Sequence, residues 1–216
     1  MRSLNIEEMV NFEQVFSYKN RLTIIHDYMD QKSMTKIIKY GWEEYSEDFV
    51  RYTLFKVAQG LFKMHQKNVC HRQVMTENVL SSSNGDIKLA ALGGRMAPVY
   101  APEVVVRGAV FSKSADVWAF GCLAYEMGTG VRPFAARPEN QLLHAIVQEE
   151  PDPIPDRWTP CYHDFVNQCF IKDAHARPPM ESLLQHEFLA ELSDPARLSF
   201  CKSTWCNDYA KFLYYD

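Results

Sequence analysis

The 216-residue sequence predicts an α+β fold that is predominantly helical. Two short zones, around residues 15–26 and 79–89, alternate in the manner of strands, and each carries a turn signal at its centre. From Ser46 onward apolar residues recur at helical spacing, and Pro-rich connections such as Pro151-Asp152-Pro153-Ile154-Pro155 separate successive stretches. A chain of this length can bury a sizeable core.

The elements follow in order. Val15-Phe16-Ser17-Tyr18, a turn at Lys19-Asn20-Arg21, and Leu22-Thr23-Ile24-Ile25-His26 read as a hairpin. Residues 33–40 read as a short helix. A longer helix begins at Ser46, which serves as N-cap, with Glu47 and Asp48 in its first turn. Its positions Val50, Leu54, Val57, Leu61 and Met64 step by four and three onto one face, and it ends near Gln66. Asn84-Gly85 then predicts a second hairpin, because both residue types accept positive φ. The apolar segment 112–127 reads as a central buried helix, followed by helices at 139–148, 161–170 and 180–189. After Asp194 the tail carries Trp205, Tyr209, Phe212, Tyr214 and Tyr215, which should dock on something.

Composition excludes several classes. A net charge of -4, with 47% hydrophobic and 23% charged residues, gives no argument for nucleic acid or an anionic membrane. No apolar run approaches a membrane span, and none near Met1 resembles a signal peptide; the Glu7-Glu8 pair argues against a transit peptide. The six cysteines form no C-x-x-C pair, so a reduced, intracellular and cytoplasmic protein is expected. Cys161, His163 and Cys169 fit a helix face better than a metal site, and Lys32, Lys36 and Lys39 a solvated face.

The chemistry-bearing residues begin at His71-Arg72-Gln73-Val74-Met75-Thr76-Glu77-Asn78. Behind them come Ile87-Lys88-Leu89-Ala90-Ala91-Leu92-Gly93, Tyr100-Ala101-Pro102-Glu103, Asp116-Val117-Trp118-Ala119-Phe120-Gly121 and Arg177-Pro178. One tripeptide alone means little, but five landmarks in this order are specific. From about residue 5 to 192 the chain resembles the eukaryotic protein-kinase superfamily, closest to Ser/Thr kinases of the Ste20/PAK-like kind. The resemblance implies a remnant of the N-lobe sheet over residues 1–30, a kinase-like C-lobe over 31–192, and an aromatic tail over 193–216.

In that family the Asp116 position accepts hydrogen bonds from the catalytic-loop backbone, the His71 ring packs in the core, and Glu103 and Arg177 form a largely buried ion pair. These residues carry architecture, and all are present. His65 likewise reads as a structural histidine. The catalytic positions differ from the pattern. Gln73 stands where the family has the Asp that accepts the substrate proton, a group typically worth about 10²–10⁴-fold. Met75 replaces a Lys, and Ala91 replaces the Asp that holds Mg²⁺; Asn78, the family's second metal ligand, remains. The segment from Gly93 to Ala101 is short and holds no Ser or Thr, so Arg72 has no phosphorylated residue there to clamp. The start resembles sequence beyond the family's regulatory helix, without a glycine-rich loop, strand Lys or helix Glu.

These departures lead to the expectation of a catalytically inactive pseudokinase without a cofactor, neither ATP nor Mg²⁺. Such a chain would act as a protein-binding scaffold or structural subunit of a larger complex, with no nucleic-acid or membrane partner. Two alternatives remain open: a divergent Ser/Thr protein kinase with relocated carboxylates such as Glu77 or Asp86, and an allosteric regulator of an active kinase.

Overall fold

The computed structural model describes residues 5–19, 21–31, 33–41, 43–90, 100–107 and 112–212. Strands β1 (Phe12–Tyr18) and β2 (Arg21–His26) form an antiparallel ribbon with Val15 opposite Ile24 and Phe16 opposite Thr23. A linker then leads into helix α1 (Met34–Gly41). The hairpin is therefore where the alternation places it, with β1 beginning earlier, at Phe12. Val15, Phe16, Tyr18 and Ile25 stay exposed, as expected for a ribbon over which the described residues place no third layer.

Helix α2 (Glu47–Gln66) is the axis of the molecule. Ser46 caps it, its Oγ accepting from Phe49 N at 3.2 Å, and Glu47 and Asp48 complement the positive end of the helix dipole. Val50, Leu54, Val57, Leu61 and Met64 are all buried, but so are Phe49, Tyr52, Phe55 and Ala58, so the helix is enclosed on more than one face. Its second cover is the C-terminal segment.

A short antiparallel pair follows, β3 (Val79–Ser81) with β4 (Ile87–Leu89). Its turn differs from the two-residue form that Asn84-Gly85 suggests. Gly85 N donates to Ser82 O at 2.9 Å, Ser82 N donates to Asp86 O at 3.0 Å, and of the two turn residues Gly85 alone takes positive φ, at 75°. The loop is longer and needs one left-handed residue at its end. A Cβ on Gly85 would also come within 2.8 Å of Cys206 Sγ, so both backbone and space require glycine here.

Helix α3 (Pro102–Arg107) had no separate sequence signal. Helix α4 (Lys113–Thr129) is the central buried helix, capped by Ser112 and closed by Gly130 at φ 77°. Gly121 lets it approach α6 closely: a Cβ there would lie 2.6 Å from Cys169 Cβ. Helices α5 (Glu139–Gln148) and α6 (Pro160–Cys169) complete this layer, α6 starting with Thr159 as N-cap and Pro160 in its first turn. The single helix expected over 180–189 is two, α7 (Met180–Leu184) and α8 (Glu187–Ala190), because the His186 ring accepts from Phe188 N and starts a new helix. No helix among the described residues is long and apolar enough to cross a membrane.

The aromatic tail is helix α9 (Pro195–Phe212), and what it docks on is α2 of the same chain. Trp205 is fully buried, stacked on Phe49 at 5.3 Å and on Tyr209 at 5.1 Å, and its Nε1 donates to Thr53 Oγ1 at 3.1 Å. Asp208 accepts from Ser46 N at 3.0 Å and from Ser46 Oγ at 2.6 Å, binding the far end of α9 to the cap of α2. Tyr214 and Tyr215 lie outside the described residues. Truncation of Trp205 to Ala should therefore cost about 3–5 kcal/mol of unfolding free energy, measured by urea denaturation.

Candidate active site

The loop from His71 to Asn78 runs between α2 and β3 and closes in a 3-10 turn at Thr76–Asn78. Its geometry is set by Asp116, which stands in the first turn of α4 and is 1% exposed. Oδ2 accepts from His71 N at 2.7 Å and bonds His65 Nε2 at 2.9 Å; Oδ1 accepts from Arg72 N at 2.7 Å. Arg72 is held at φ 73°, a left-handed conformation that a non-glycine residue adopts only when its surroundings impose it. His65 thus has the structural role read for it.

Downstream, Asn78 Nδ2 donates to Gln73 O at 2.8 Å, bracing the loop across its own turn, and Ala90 N donates to Asn78 O at 2.7 Å. Gln73 and Met75 are half-buried on this braced segment. Ala91 lies outside the described residues, as do the Gly93 to Val99 positions on which the short activation segment was read. His71 is buried, and burial, opposed by the Asp116 charge, pushes its imidazole down to about 4. At neutral pH the ring is neutral, and its Nδ1 accepts from Gln73 N at 3.3 Å.

Glu103 and Arg177 meet as the sequence suggests, through two parallel bonds of 3.0 Å. The Arg177 side chain is fully enclosed, and it also donates to Ser114 O at 2.7 Å and Ile171 O at 2.9 Å. This pair ties the segment after the undescribed stretch to the helical body.

The two carboxylates considered as relocated groups separate. Asp86 sits on the β3–β4 turn, paired with Lys202 of α9 at 3.1 Å. Glu77 stays on the loop, paired with Arg132, and its Oε2 accepts from Thr76 Oγ1 at 3.1 Å. The structure adds a residue that sequence reading passed over: Glu126 of α4, whose two oxygens lie 3.4 Å from Thr76 Oγ1, with Arg132 Nε 4.0 Å away. Burial pushes Glu126 up to about 7, against Arg132 and with help from Glu77. Between Asp116 and Met127 Glu126 is the one charged residue, and that was the available signal. Among the described residues no group of three or more His, Cys, Asp or Glu is placed to hold a metal ion.

A small β-ribbon above a helical body, with a braced loop whose amides converge on a buried Asp, defines a kinase-like C-lobe. The chain belongs to the protein kinase domain family, which matches residues 1–189. Among curated proteins it is 31% identical over 205 residues to MAP3K epsilon protein kinase 1 of Brassica napus, covering 88% of this chain and 16% of that protein. It is 28% identical over 204 residues to Serine/threonine-protein kinase sid1 of Schizosaccharomyces pombe, covering 88% and 43%. Against Serine/threonine-protein kinase pakA of Dictyostelium discoideum it is 26% identical over 206 residues, covering 88% and 17%. The chain spans less than half the length of each of these relatives.

These matches correct two expectations. The reading of the chain as not an enzyme is overturned by its membership of a family whose matched relatives are named Ser/Thr protein kinases. The expectation of no cofactor falls with it, since phosphoryl transfer by that family takes ATP and Mg²⁺. The physical reason lies in how this chemistry divides. Kinase catalysis is mostly positioning and charge stabilisation, so a substituted base lowers the rate without removing the site. One side chain present suits a metal-bound nucleotide: the Asn78 amide nitrogen is engaged by Gln73 O, so its Oδ1 would serve as a hard oxygen ligand. Mg²⁺ takes few protein ligands and completes its shell with phosphates and water.

His71 and Glu126 give the site an unusual pH signature. The lowered His71 pKa contributes stability present above about 6.5 and lost as pH falls through about 4. The raised Glu126 pKa does the reverse, its contribution being present below about 4.5 and lost as pH rises through about 7. Each is worth about 3 kcal/mol across almost the same window, so the two slopes offset. Glu126→Gln should expose the His71 slope, with stability falling by about 3 kcal/mol between pH 6.5 and 4, read from urea midpoints at each pH.

Proposed function

We propose that the chain is the C-lobe portion of a divergent Ser/Thr protein kinase that transfers phosphate from ATP to protein hydroxyls. The observation that supports this best is the intact frame of the catalytic loop: Asp116 holding the His71 and Arg72 amides, with Asn78 bracing Gln73. Mg²⁺, when bound with the nucleotide, would supply charge neutralisation on the phosphates, and Asn78 Oδ1 is the loop atom that would hold it. Gln73 accepts a hydrogen bond from the substrate hydroxyl through its amide oxygen and orients it, without carrying the proton away. Glu77 pairs with Arg132 beside the loop, and Glu126, raised to about 7 by burial, lies against the same arginine.

Two measurements test the reading. Thermal shift with Mg-ATP should show stabilisation that Asn78→Ala removes, and phosphate transfer to a generic protein substrate should be slow. Replacing Gln73 with Asp restores a proton-accepting carboxylate and should raise the transfer rate by about 10²–10⁴-fold. No thermal shift, together with no transfer by either chain, defeats the proposal.

A second reading concerns partners, and the ribbon favours it. Val15, Phe16, Tyr18 and Ile25 are exposed on β1 and β2, and Tyr28 beyond them is 87% exposed. Apolar side chains on an open ribbon support a protein partner, as in a subunit of a larger complex, rather than nucleic acid or membrane. The cysteines among the described residues are all free thiols, which supports an intracellular, cytoplasmic setting. The aromatic tail, by contrast, already has Trp205 stacked on Phe49 of α2. Size-exclusion chromatography of native extracts, comparing the wild type with Phe16→Ser, tests whether the ribbon carries the assembly.

A further inference from the structure

Helix α9 does more than close the core, because it also reaches the linker between the ribbon and α1. Tyr209 Oη donates to Gln31 Oε1 at 2.8 Å and lies 3.4 Å from Gln31 O, while Gln31 N donates to Ser81 O at 3.1 Å. One residue earlier, Asp30 Oδ1 accepts from Ser83 N at 2.9 Å, on the β3–β4 turn. That turn is itself held from the α9 side. Lys202 Nζ contacts Asp86 Oδ1 at 3.1 Å, and the packing of Cys206 against Gly85 leaves no room for a Cβ. The near end of the linker is fixed separately, Asp27 Oδ2 accepting from Lys88 Nζ at 2.6 Å and Asn11 N at 3.2 Å. The linker is thus pinned to β4 at Asp27 and, directly or through the turn, to α9 at Asp30 and Gln31.

We propose that α9 is a clamp on this linker, with Tyr209 as a positioning residue that sets how the ribbon sits over the helical body. This rests on the functional reading above in one respect: a nucleotide held between ribbon and body feels the linker geometry, so the clamp also sets nucleotide affinity. The side chains that make the clamp lie on α9, outside the 1–189 stretch that the family match covers. It is therefore a property of this chain's own C-terminal segment.

The test compares wild type, Tyr209→Phe, Lys202→Met and, as a control on the exposed side of α9, Asn207→Ala. Hydrogen exchange of the amides of residues 27–33, followed by mass spectrometry, should accelerate about two- to tenfold in Tyr209→Phe and Lys202→Met, the range that loss of one hydrogen bond gives. Asn207→Ala should match wild type. The Kd for Mg-ATP should rise by a similar factor in the first two variants, with kcat unchanged. Unaltered linker exchange in a folded Tyr209→Phe chain overturns the proposal, and so does faster exchange with unaltered affinity in a chain that binds Mg-ATP. Failure of the wild type to bind nucleotide defeats the functional reading instead, and the exchange result then still decides whether α9 fixes the linker.

Discussion

The carboxylate of Asp116 is the constraint on which the site depends. It is buried in the first turn of α4, and three hydrogen-bonding groups from two other segments converge on it: the His71 and Arg72 amides of the loop, and the His65 ring at the end of α2. A buried carboxylate is costly unless such groups surround it, and here two are backbone amides and the third a histidine ring. The same bonds hold Arg72 in a left-handed conformation, so the turn that presents Gln73 exists because Asp116 is there. Helix α4 can act as this fixed post because its own Phe120, Leu123, Tyr125 and Met127 are buried in the core and Gly121 seats it tightly on α6.

Around this post the molecule is tied by polar contacts between segments far apart in sequence. Arg177 reaches back to Glu103, Asp208 to Ser46, and Lys63 to the buried Glu8 at 2.7 Å. Lys63 and Lys56 hold the Glu8 carboxyl below the ordinary carboxylate range despite the burial that opposes them. None of these bonds lies within one element. Their effect is to fix α3 to the loop before α7, α9 to the start of α2, and the segment at Glu8 to α2, which apolar contact alone would leave looser.

What the sequence made legible follows from the range of the interactions. Ser46 as a cap, the positions from Val50 to Met64, and the hairpin from Val15 to His26 are local signals, and each appears where read. The pairing of Glu103 with Arg177 was legible through the kinase resemblance, because its spacing carries no local pattern. The break at His186 was missed because a histidine ring serving as N-cap is not among the usual capping residues. The pairing of Tyr209 with Gln31 and the place of Glu126 were missed for a different reason. Their roles arise from contacts across 178 and 50 positions, for which one sequence offers no periodicity to read.

The substitutions at Gln73 and Met75 supported a reading of lost chemistry, and the error in it was to equate a residue with the reaction. Gln73 sits on backbone that Asn78 braces through Gln73 O, and that brace is indifferent to which side chain Gln73 carries. Position is therefore separable from side-chain chemistry here: Asp116 and Asn78 hold the loop backbone whatever side chain stands at Gln73. A family that works mainly by holding phosphates, metal and hydroxyl in line tolerates change in the second while the first is kept. In this chain the positioning frame is what the described residues preserve, and the family match extends over that frame.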